Sequence, residues 1–276
     1  MFMKISAKTK ICLIIGDPVS HSMSPAMHNA GYEALGIDDR FVFLGAKVKA
    51  QDVGVAVECM RKMGIHGLTC TIPHKVEVMK FLDEIDETAK KIGAVNTVLN
   101  KNGKLIGFNT DWQGTVIPLE KIISLSGKKV LVLGAGGAAR AIVFGLLKKG
   151  AKVKIFNRTK EKAVKLAQEF NCQVTSLSIK SEIRDFDIII NTTSVGMKPL
   201  EKETPISTKF ITNKQIVFDI VYVPFETKLL KEAKKRGARI IHGTEMLLHQ
   251  GTTQFEIYTG HKAPEEVMRK ILYEKN

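Results

Sequence analysis

The feature of this sequence that most constrains its fold is a glycine-rich turn between a strand-like run and a helical run. Residues 128–159, KKVLVLGAGGAARAIVFGLLKKGAKVKIFNRT, contain in order a strand, the turn, a helix that ends at Gly150 and a second strand. In a G-x-G-x-x-A turn the two glycines allow the sharp bend and the approach of a pyrophosphate, and the small third residue lets the helix lie against the strand. We predict a dinucleotide-binding unit; the alternative is the same turn in a domain that binds nothing. The residues predicted to contact the cofactor here are Gly134, Ala135, Gly136, Gly137, Ala138 and Ala139.

The end of the second strand indicates which dinucleotide would bind. NAD-binding units usually carry an acidic side chain at this point, which accepts hydrogen bonds from the adenosine ribose. This chain has Asn157, Arg158 and Thr159 instead. The guanidinium of Arg158 can donate a planar fork of hydrogen bonds to a 2′-phosphate, and Asn157 and Thr159 can add neutral ones. We therefore predict that the cofactor is NADP(H); the alternative is that Arg158 is only a surface residue at the strand end.

The order of the remaining strand-like and helical runs predicts the architecture. With 276 residues, of which 44% are hydrophobic, the chain is long enough for two modest domains. Strand-like runs alternate with helical patterns on both sides of a boundary near residues 110–115, as in largely parallel sheets with helices on their faces. We predict an α/β protein of two doubly wound domains, a substrate-binding domain at 1–111 and a Rossmann domain at 112–242. The tail, 243–276, reads as two helices whose periodicity does not say which domain they pack on.

Three local signals predict turns and helix starts in the first domain. Ser24 precedes Pro25, so the serine hydroxyl is predicted to cap a helix that begins there. The stretch NKNGK, residues 100–104, predicts a hairpin turn. A further helix is predicted from about Pro73, which would put Lys75 in its first turn, beside the positive end of the helix dipole.

Composition excludes several classes of function. The formal net charge is +14, but the lysines alternate with glutamates along helical runs, and only one Trp and four Tyr are available to stack on bases. We therefore expect solvated helix faces and no nucleic-acid partner, with a positive field that attracts small anions. The four cysteines are widely spaced without a CxxC pair, so we expect no disulfide framework and no metal site. The early apolar run at 11–15 is too short to span a membrane, and we expect a cytoplasmic protein.

Polar residues follow the strands of the first domain, at the edge where open α/β sheets bind ligands. Taken singly, each has an ordinary structural explanation, such as a helix cap, a solvated lysine or a linker residue. Their joint order along the chain is the stronger signal. These residues are Ser22, Ser24, Thr71, Lys75, Asn96 and Asp111.

Motifs in the same order along nearly the whole chain make it resemble the shikimate dehydrogenase family. The matching stretches are GDPVSHSMSPAMHNAGYEALG, GLTCTIPHK, IGAVNTV, GFNTD, LGAGGAARA, FNRT, NTTSVGM, VFDIVYVPFETKLL and GTEMLLHQG. The resemblance implies the reversible NADP-linked oxidation of shikimate to 3-dehydroshikimate, in the route to chorismate and the aromatic amino acids. One departure is Trp112, which stands where many family members have glycine.

The resemblance also implies roles for individual residues. Lys75 and Asp111 would form the catalytic pair and bind substrate. The substrate carboxylate would be held by Ser22, Ser24 and Thr71 with Tyr222 nearby, and the ring hydroxyls by Asn96, Asp111 and Gln250. The cofactor would further contact Thr192 and Val221, with Gly243 and Met246 close to the nicotinamide. If Gln250 binds substrate, the C-terminal helices pack on the first domain.

The chemistry of the reaction agrees with this pair of residues. A secondary alcohol loses hydride only as its hydroxyl proton leaves, so a base must lie within hydrogen-bond reach. Lysine, with a reference pKa of about 10.4, needs help to act as that base. A helix N-terminus would lower the pKa of Lys75 and Asp111 would raise it, and the sequence does not decide between them. Our hypothesis is that Lys75 relays the proton and Asp111 orients it.

Three other functions compete with this one. The quinate/shikimate dehydrogenase branch accepts quinate and often NAD, and GMKPLE and QGTTQFE fit that branch as well. A non-catalytic NADP-binding regulatory protein would keep the fold, although the retention of Lys75 with Asp111 argues against it. A basic nucleic-acid binder is the weakest alternative. A homodimer is compatible with the sequence, which does not determine the oligomeric state.

Overall fold

The structure, a computed structural model, describes residues 5–176 and 180–274. The described residues form two compact units. Unit 1 contains residues 5–110 and 250–274, and unit 2 contains residues 111–249 apart from the short gap. The chain therefore enters unit 2 at Asp111, one residue before the predicted boundary.

Unit 1 is built on a mixed six-stranded sheet. Its elements up to residue 110 are β1 (Lys10–Gly16), α1 (Ser24–Ala34), β2 (Phe41–Lys47), α2 (Val53–Lys62), β3 (Gly67–Cys70), β4 (Glu84–Ile85), α3 (Glu87–Ile92), β5 (Thr97–Lys101) and β6 (Lys104–Phe108). The strand order is β2-β1-β3-β5-β6-β4, with β1 parallel to both of its neighbours and β5 antiparallel to β3 and β6. The hairpin predicted at 100–104 is confirmed as the β5–β6 connection, where Lys101 pairs with Lys104.

Unit 2 is a parallel doubly wound sheet. Its elements are α4 (Asp111–Glu120), β7 (Lys129–Leu133), α5 (Gly137–Lys148), β8 (Lys152–Phe156), α6 (Lys160–Phe170), β9 (Gln173–Val174), β10 (Ile188–Asn191), β11 (Ile216–Asp219), α7 (Lys228–Lys235) and β12 (Arg239–Ile241). The strand order is β12-β11-β10-β7-β8-β9, and every pair is parallel. The predicted strand-turn-helix-strand unit is confirmed as β7-α5-β8.

The tail contains α8 (Gly243–Thr259) and α9 (Glu265–Glu274). The two predicted helices are thus present, but α8 does not belong to a single unit. Its residues through His249 group with unit 2, and those from Gln250 group with unit 1. Because α8 is one continuous helix that begins directly after β12, the change of unit falls inside a helix, where turn and breaker residues give no sequence signal.

The start of α1 differs from the prediction. Ser24 is the first helical residue and is buried, with Met23 in the capping position and no side-chain capping hydrogen bond. The amide of Ser24 instead donates to Ser22 Oγ at 3.3 Å. The prediction that the Ser24 hydroxyl caps α1 is therefore wrong. The helix already includes Ser24, so the N-cap position, from which a side chain can reach the free amides, belongs to Met23.

The core of unit 1 contains a histidine without a hydrogen bond. His28 on α1 is fully buried, and its ring stacks on Phe43 with centroids 4.3 Å apart. Neither ring nitrogen has a hydrogen-bond partner within the described part of the chain. Burial lowers the pKa of His28 to about 3, and the neighbouring Gln254 opposes part of that shift.

This histidine makes unit 1 sensitive to acid. The pKa of His28 is about 3 in the folded protein and near its ordinary value of 6.5 in the unfolded chain. Between pH 6.5 and about pH 3, the unfolded chain therefore binds one more proton at this histidine than the folded protein does. Stability is therefore lost as the pH falls below 6.5. From about pH 7.5 to about pH 5, we expect the free energy of unfolding to fall about 2 kcal/mol more in the unsubstituted protein than in His28→Leu. Denaturant unfolding followed by circular dichroism measures this difference, and parallel pH curves would contradict it.

Candidate functional site

In unit 1, the chain segments that follow β1 and β3 lie against each other. The amide of Thr71 donates to the Ile15 carbonyl at 3.0 Å, and a Cβ at position 16 would overlap the Thr71 methyl group. Gly16 is thus required for this close approach. The same edge carries Ser22, which is half-buried, and Ser24, which is buried. Three of the predicted carboxylate-binding hydroxyls therefore come from neighbouring segments at the carboxyl ends of β1 and β3.

Lys75 lies in a turn, so the prediction that it occupies the first turn of an α-helix is wrong. Residues 72–76 form turns, and the following helix is a short 3₁₀ segment, Glu77–Phe81. The carbonyl of Lys75 accepts a hydrogen bond from the Val95 amide at 2.7 Å, so it is used by another segment and not by a helical partner four residues on. The side chain is half-buried, and its charge acts on Cys70, whose thiol pKa burial nonetheless raises to about 12.

Asn96 is buried and bonds to Thr110, the residue at which the first chain segment of unit 1 ends. Its Oδ1 atom accepts hydrogen bonds from the Thr110 amide at 2.9 Å and from Thr97 Oγ1 at 2.8 Å, and its Nδ2 atom donates to Thr110 Oγ1 at 2.9 Å. The Asn96 carbonyl also accepts from the amide of Cys70 at 2.8 Å. Asn96 therefore fixes the residue that precedes Asp111, besides any contact with substrate.

Asp111 is buried and begins α4, where Trp112 packs on α5. The Trp112 ring meets Phe144 edge-on with centroids 6.2 Å apart, and Lys148 Nζ lies 4.6 Å from the Trp112 centroid. A Cβ at Gly145 would come within 3.3 Å of the Trp112 backbone oxygen. Trp112, the residue that departs from the family pattern, thus joins α4 to α5 by packing.

In unit 2, the glycine turn has the geometry that a pyrophosphate requires. Gly134 has φ +115°, and a Cβ there would overlap Thr192 Oγ1, which donates to the Leu133 carbonyl at 2.7 Å. Gly136 is the exposed N-cap of α5, and a Cβ at that position would meet nothing within 4 Å. Ala139 is fully buried. The open backbone at Gly136 and the free amides of α5 fit a dinucleotide phosphate, so the chain fits the predicted cofactor at this turn.

The remaining residues of the turn are Ala135, Gly137 and Ala138, which are all partly exposed, with Gly137 as the first residue of α5.

Of the predicted phosphate-binding residues after β8, Arg158 and Thr159 are exposed and Asn157 is half-buried. Asn157 Nδ2 donates to the Thr159 carbonyl at 2.8 Å, and Thr159 is the N-cap of α6 without a side-chain capping bond. Arg158 is exposed and has no ion pair or hydrogen bond to any residue that the structure describes. Its guanidinium is therefore available to an anion from outside the chain.

The loop after β11 contacts the start of α8. A Cβ at Gly243 would come within 2.5 Å of the Val221 carbonyl oxygen, so only glycine allows this approach. Met246 is buried in the core of unit 2. Tyr222, next to Val221, is half-buried in unit 2, whereas Gln250 is buried and groups with unit 1.

Two buried polar residues of unit 2 are not among the residues singled out in the sequence. Asn191 ends β10 and Asp219 ends β11, at paired positions of the sheet, and both are fully buried. Burial raises the pKa of Asp219 to about 6, while hydrogen bonds from its neighbours oppose that shift. The available signal was a polar residue closing each of the apolar runs DIIIN and IVFD.

Within residues 5–176 and 180–274, no group of three or more His, Cys, Asp or Glu side chains could hold a metal ion. A search of the same residues finds no helix that is long and apolar enough to cross a membrane.

Three family models match successive parts of the chain. They are described as the shikimate dehydrogenase substrate binding domain (residues 14–98), shikimate / quinate 5-dehydrogenase (residues 118–228) and the shikimate 5′-dehydrogenase C-terminal domain (residues 243–273).

Whole proteins match over nearly their full length. The shikimate dehydrogenase (NADP(+)) of Geobacillus kaustophilus is 45% identical over 272 residues, which are 96% of this chain and 98% of that protein. The crystal structure of shikimate dehydrogenase from Aquifex aeolicus has a TM-score of 0.91 at 42% identity, covering 97% of this chain and 98% of that one. The shikimate 5-dehydrogenase of Thermus thermophilus, in complex with NADP(H) and shikimate, has a TM-score of 0.90 at 33% identity, covering 97% and 100%.

Proposed function

The chain belongs to the shikimate dehydrogenase family, and we propose that it catalyses the reversible NADP-linked interconversion of shikimate and 3-dehydroshikimate, in the route to chorismate and the aromatic amino acids. The observation that carries the proposal is the match over nearly the whole length to an NADP-dependent shikimate dehydrogenase. The residues proposed for the chemistry come from both units of this chain. Its substrate is therefore a small hydroxylated carboxylic acid.

NADP(H) is held by unit 2. The open backbone of Gly136 and the N-terminus of α5 would hold its pyrophosphate, and Arg158 would bind its 2′-phosphate. Thr192, Val221, Gly243 and Met246 are proposed neighbours of the rest of the cofactor. Bound there, the oxidised cofactor would supply a hydride acceptor for the carbon that bears the substrate hydroxyl.

Unit 1 supplies most of the groups that bind substrate. Hydroxyl donors suit a carboxylate, because each can donate one hydrogen bond to an anionic oxygen. Amide and carboxylate side chains suit ring hydroxyls, which both donate and accept. The proposed carboxylate-binding residues are Ser22, Ser24 and Thr71, with Tyr222 nearby, and the proposed hydroxyl-binding residues are Asn96, Asp111 and Gln250.

The proton of the reacting hydroxyl is transferred by Lys75, with Asp111 orienting it. Lys75 lies in a half-buried turn and not at the N-terminus of an α-helix. In the direction of reduction, the ammonium of Lys75 donates the proton that the developing alkoxide needs.

The test is to mix 3-dehydroshikimate with NADPH and the purified protein, and to identify the product by chromatography. Consumption of NADPH with formation of shikimate supports the proposal. Binding of NADPH without consumption in the presence of 3-dehydroshikimate or dehydroquinate would identify the chain as a non-catalytic NADP-binding protein.

Arg158→Ala should remove the preference for NADP. Since a hydrogen bond between charged groups contributes about 1.5–3 kcal/mol, we expect the KM for NADP⁺ to rise about 10- to 100-fold and the KM for NAD⁺ to stay within about twofold. Steady-state kinetics with both cofactors measure the change. Arg184→Ala, which removes an exposed guanidinium elsewhere in unit 2, is the control and should alter neither KM. An unchanged KM for NADP⁺ in Arg158→Ala would show that Arg158 is only a surface residue.

A further inference from the structure

A buried polar pair connects two loops at the carboxyl edge of the unit 2 sheet. Asn191 at the end of β10 and Asp219 at the end of β11 are paired in the sheet register, and Asn191 Nδ2 donates to Asp219 Oδ1 at 2.9 Å. Both side chains are completely buried. A buried polar pair of this kind is stable only if its other hydrogen-bonding atoms are also satisfied.

The Asp219 carboxylate holds both ends of the loop after β11. Its Oδ1 atom also accepts a hydrogen bond from the Val221 amide at 3.1 Å, and its Oδ2 atom accepts one from Thr227 Oγ1 at 2.7 Å. Thr227 is the N-cap of α7, and its Oγ1 atom in turn accepts from the Leu230 amide at 3.4 Å. One carboxylate thus fixes the loop from 221 to 227.

Asn191 does the same for the loop after β10. Its Oδ1 atom accepts from the Thr193 amide at 3.0 Å and from Thr193 Oγ1 at 2.7 Å, and its Nδ2 atom also donates to the Val195 carbonyl at 3.0 Å. Thr193 follows Thr192, whose hydroxyl lies against Gly134 in the glycine turn. The pair therefore sets the positions of Thr192 and Val221, the proposed cofactor neighbours.

The hydrogen bonds favour the ionised form of Asp219. All three donors to it are neutral groups, and each needs an oxygen lone pair. A protonated Asp219 would have to donate to Thr227 Oγ1, which already accepts from Leu230 and would then have to turn its own hydroxyl hydrogen away. The charged residues on either side of Thr227 bond elsewhere: Glu226 accepts from Lys234 Nζ, and Lys228 Nζ donates to the Lys202 carbonyl.

We propose that the ionised carboxylate of Asp219 positions the loops after β10 and β11 for NADP(H), so that a chain with neutral Asp219 binds the cofactor less tightly. The inference rests on the proposed function, since it concerns the same cofactor. Asp219 is a positioning residue in this scheme, because it acts through Asn191, Val221 and Thr227.

The pH range of the effect follows from the burial of Asp219. Burial raises the pKa of Asp219 to about 6, and the three neutral donors oppose that shift. At about pH 5, about one molecule in ten then carries the ionised form, so the affinity for NADPH would fall by up to about tenfold relative to about pH 7.5.

The experiment measures the Kd for NADPH by fluorescence titration of the intact protein between about pH 5 and about pH 7.5. Asp219→Asn keeps the shape of the side chain and is neutral at every pH. We expect it to bind NADPH about five- to tenfold more weakly than the unsubstituted protein at about pH 7.5, and the two pH curves to converge at about pH 5. The 2′-phosphate of NADPH itself titrates with a pKa of about 6, but it does so equally in both proteins.

Asp187→Asn is the matched control. Asp187 lies just before β10, at the other end of the strand that Asn191 closes, and its Oδ2 atom accepts from the Lys129 amide at 2.8 Å. The same loss of charge at this position should leave the pH curve of the Kd parallel to that of the unsubstituted protein.

A second pair of variants tests the hydrogen bond between Thr227 and Asp219. This pair is a sufficient test by itself if Asp219→Asn does not fold. Thr227→Val removes the hydroxyl that donates to Asp219, and Thr227→Ser restores it. We expect the valine variant to bind NADPH several-fold more weakly and the serine variant to bind within about twofold of the unsubstituted protein.

Failure of the unsubstituted protein to bind NADPH at about pH 7.5 would overturn the proposed function. Binding by Asp219→Asn that follows the unsubstituted protein at every pH, or equal binding by the two Thr227 variants, would overturn this inference alone.

Discussion

Lys75→Ala should lower kcat for shikimate oxidation by about 10²- to 10⁴-fold, which is the contribution of a positioned general acid or base. Binding of shikimate should weaken by less than about tenfold, because the hydroxyl side chains of Ser22, Ser24 and Thr71 remain. Steady-state kinetics give kcat, and equilibrium titration of the NADP⁺-loaded protein with shikimate gives the Kd.

The control for this substitution is Lys80→Ala. Lys80 is an exposed lysine of the neighbouring 3₁₀ segment, where its Nζ atom lies 2.8 Å from Glu77 Oε1. Its removal changes the charge of the same region without reaching the proposed reacting group, so kcat should stay within about twofold. Near-normal turnover in Lys75→Ala with unchanged shikimate binding would mean that another group transfers the proton.

Gly134→Ala should destabilise unit 2 strongly. An alanine at φ +115° is strained, and its Cβ would overlap Thr192 Oγ1. Strain of this kind costs about 1–3 kcal/mol, and the overlap adds to it, so we expect a loss of about 3 kcal/mol in the free energy of unfolding. The single tryptophan, Trp112, lies in unit 2, so its fluorescence reports the unfolding of that unit.

Gly136→Ala separates the effect on folding from the effect on binding. Gly136 has φ −93°, and its Cβ position is open, so alanine should leave the stability within about 1 kcal/mol. The added methyl group would nevertheless stand where the pyrophosphate approaches, and the Kd for NADPH should rise at least about tenfold. A Gly134→Ala protein as stable as the unsubstituted one would contradict the packing described for Thr192.

The sequence predicts those parts of the molecule whose signals are local. The glycine turn, β7-α5-β8 and the β5–β6 hairpin all depend on residues a few positions apart, and each is confirmed. The two-domain α/β fold and the shikimate dehydrogenase family are confirmed as well, because the motifs extend along nearly the whole chain.

Features that depend on distant segments were not predictable. Proline at 73 is a good helix start by local rules, but residues 72–76 form turns, and the Lys75 carbonyl accepts from the Val95 amide of a distant segment. The bonds that make Asp219 and Asn191 a connected pair join residues 28 positions apart. The sequence also did not predict that the two halves of α8 belong to different units, because no residue pattern within a continuous helix indicates which unit each half packs on. The roles of Lys75, Asp111 and the other proposed site residues stay predictions.

The measurement that tests the central claim most directly is kcat/KM for NADPH formation by the purified protein, with shikimate or quinate as substrate and NADP⁺ or NAD⁺ as cofactor. We expect kcat/KM for shikimate with NADP⁺ to exceed that of each other combination by at least about tenfold, since the matched relatives are NADP-dependent shikimate dehydrogenases and Arg158 is proposed to bind the 2′-phosphate that NAD⁺ lacks. Comparable rates with quinate or NAD⁺ would place the protein in the broader quinate/shikimate branch, and no turnover with any combination would contradict the proposed reaction.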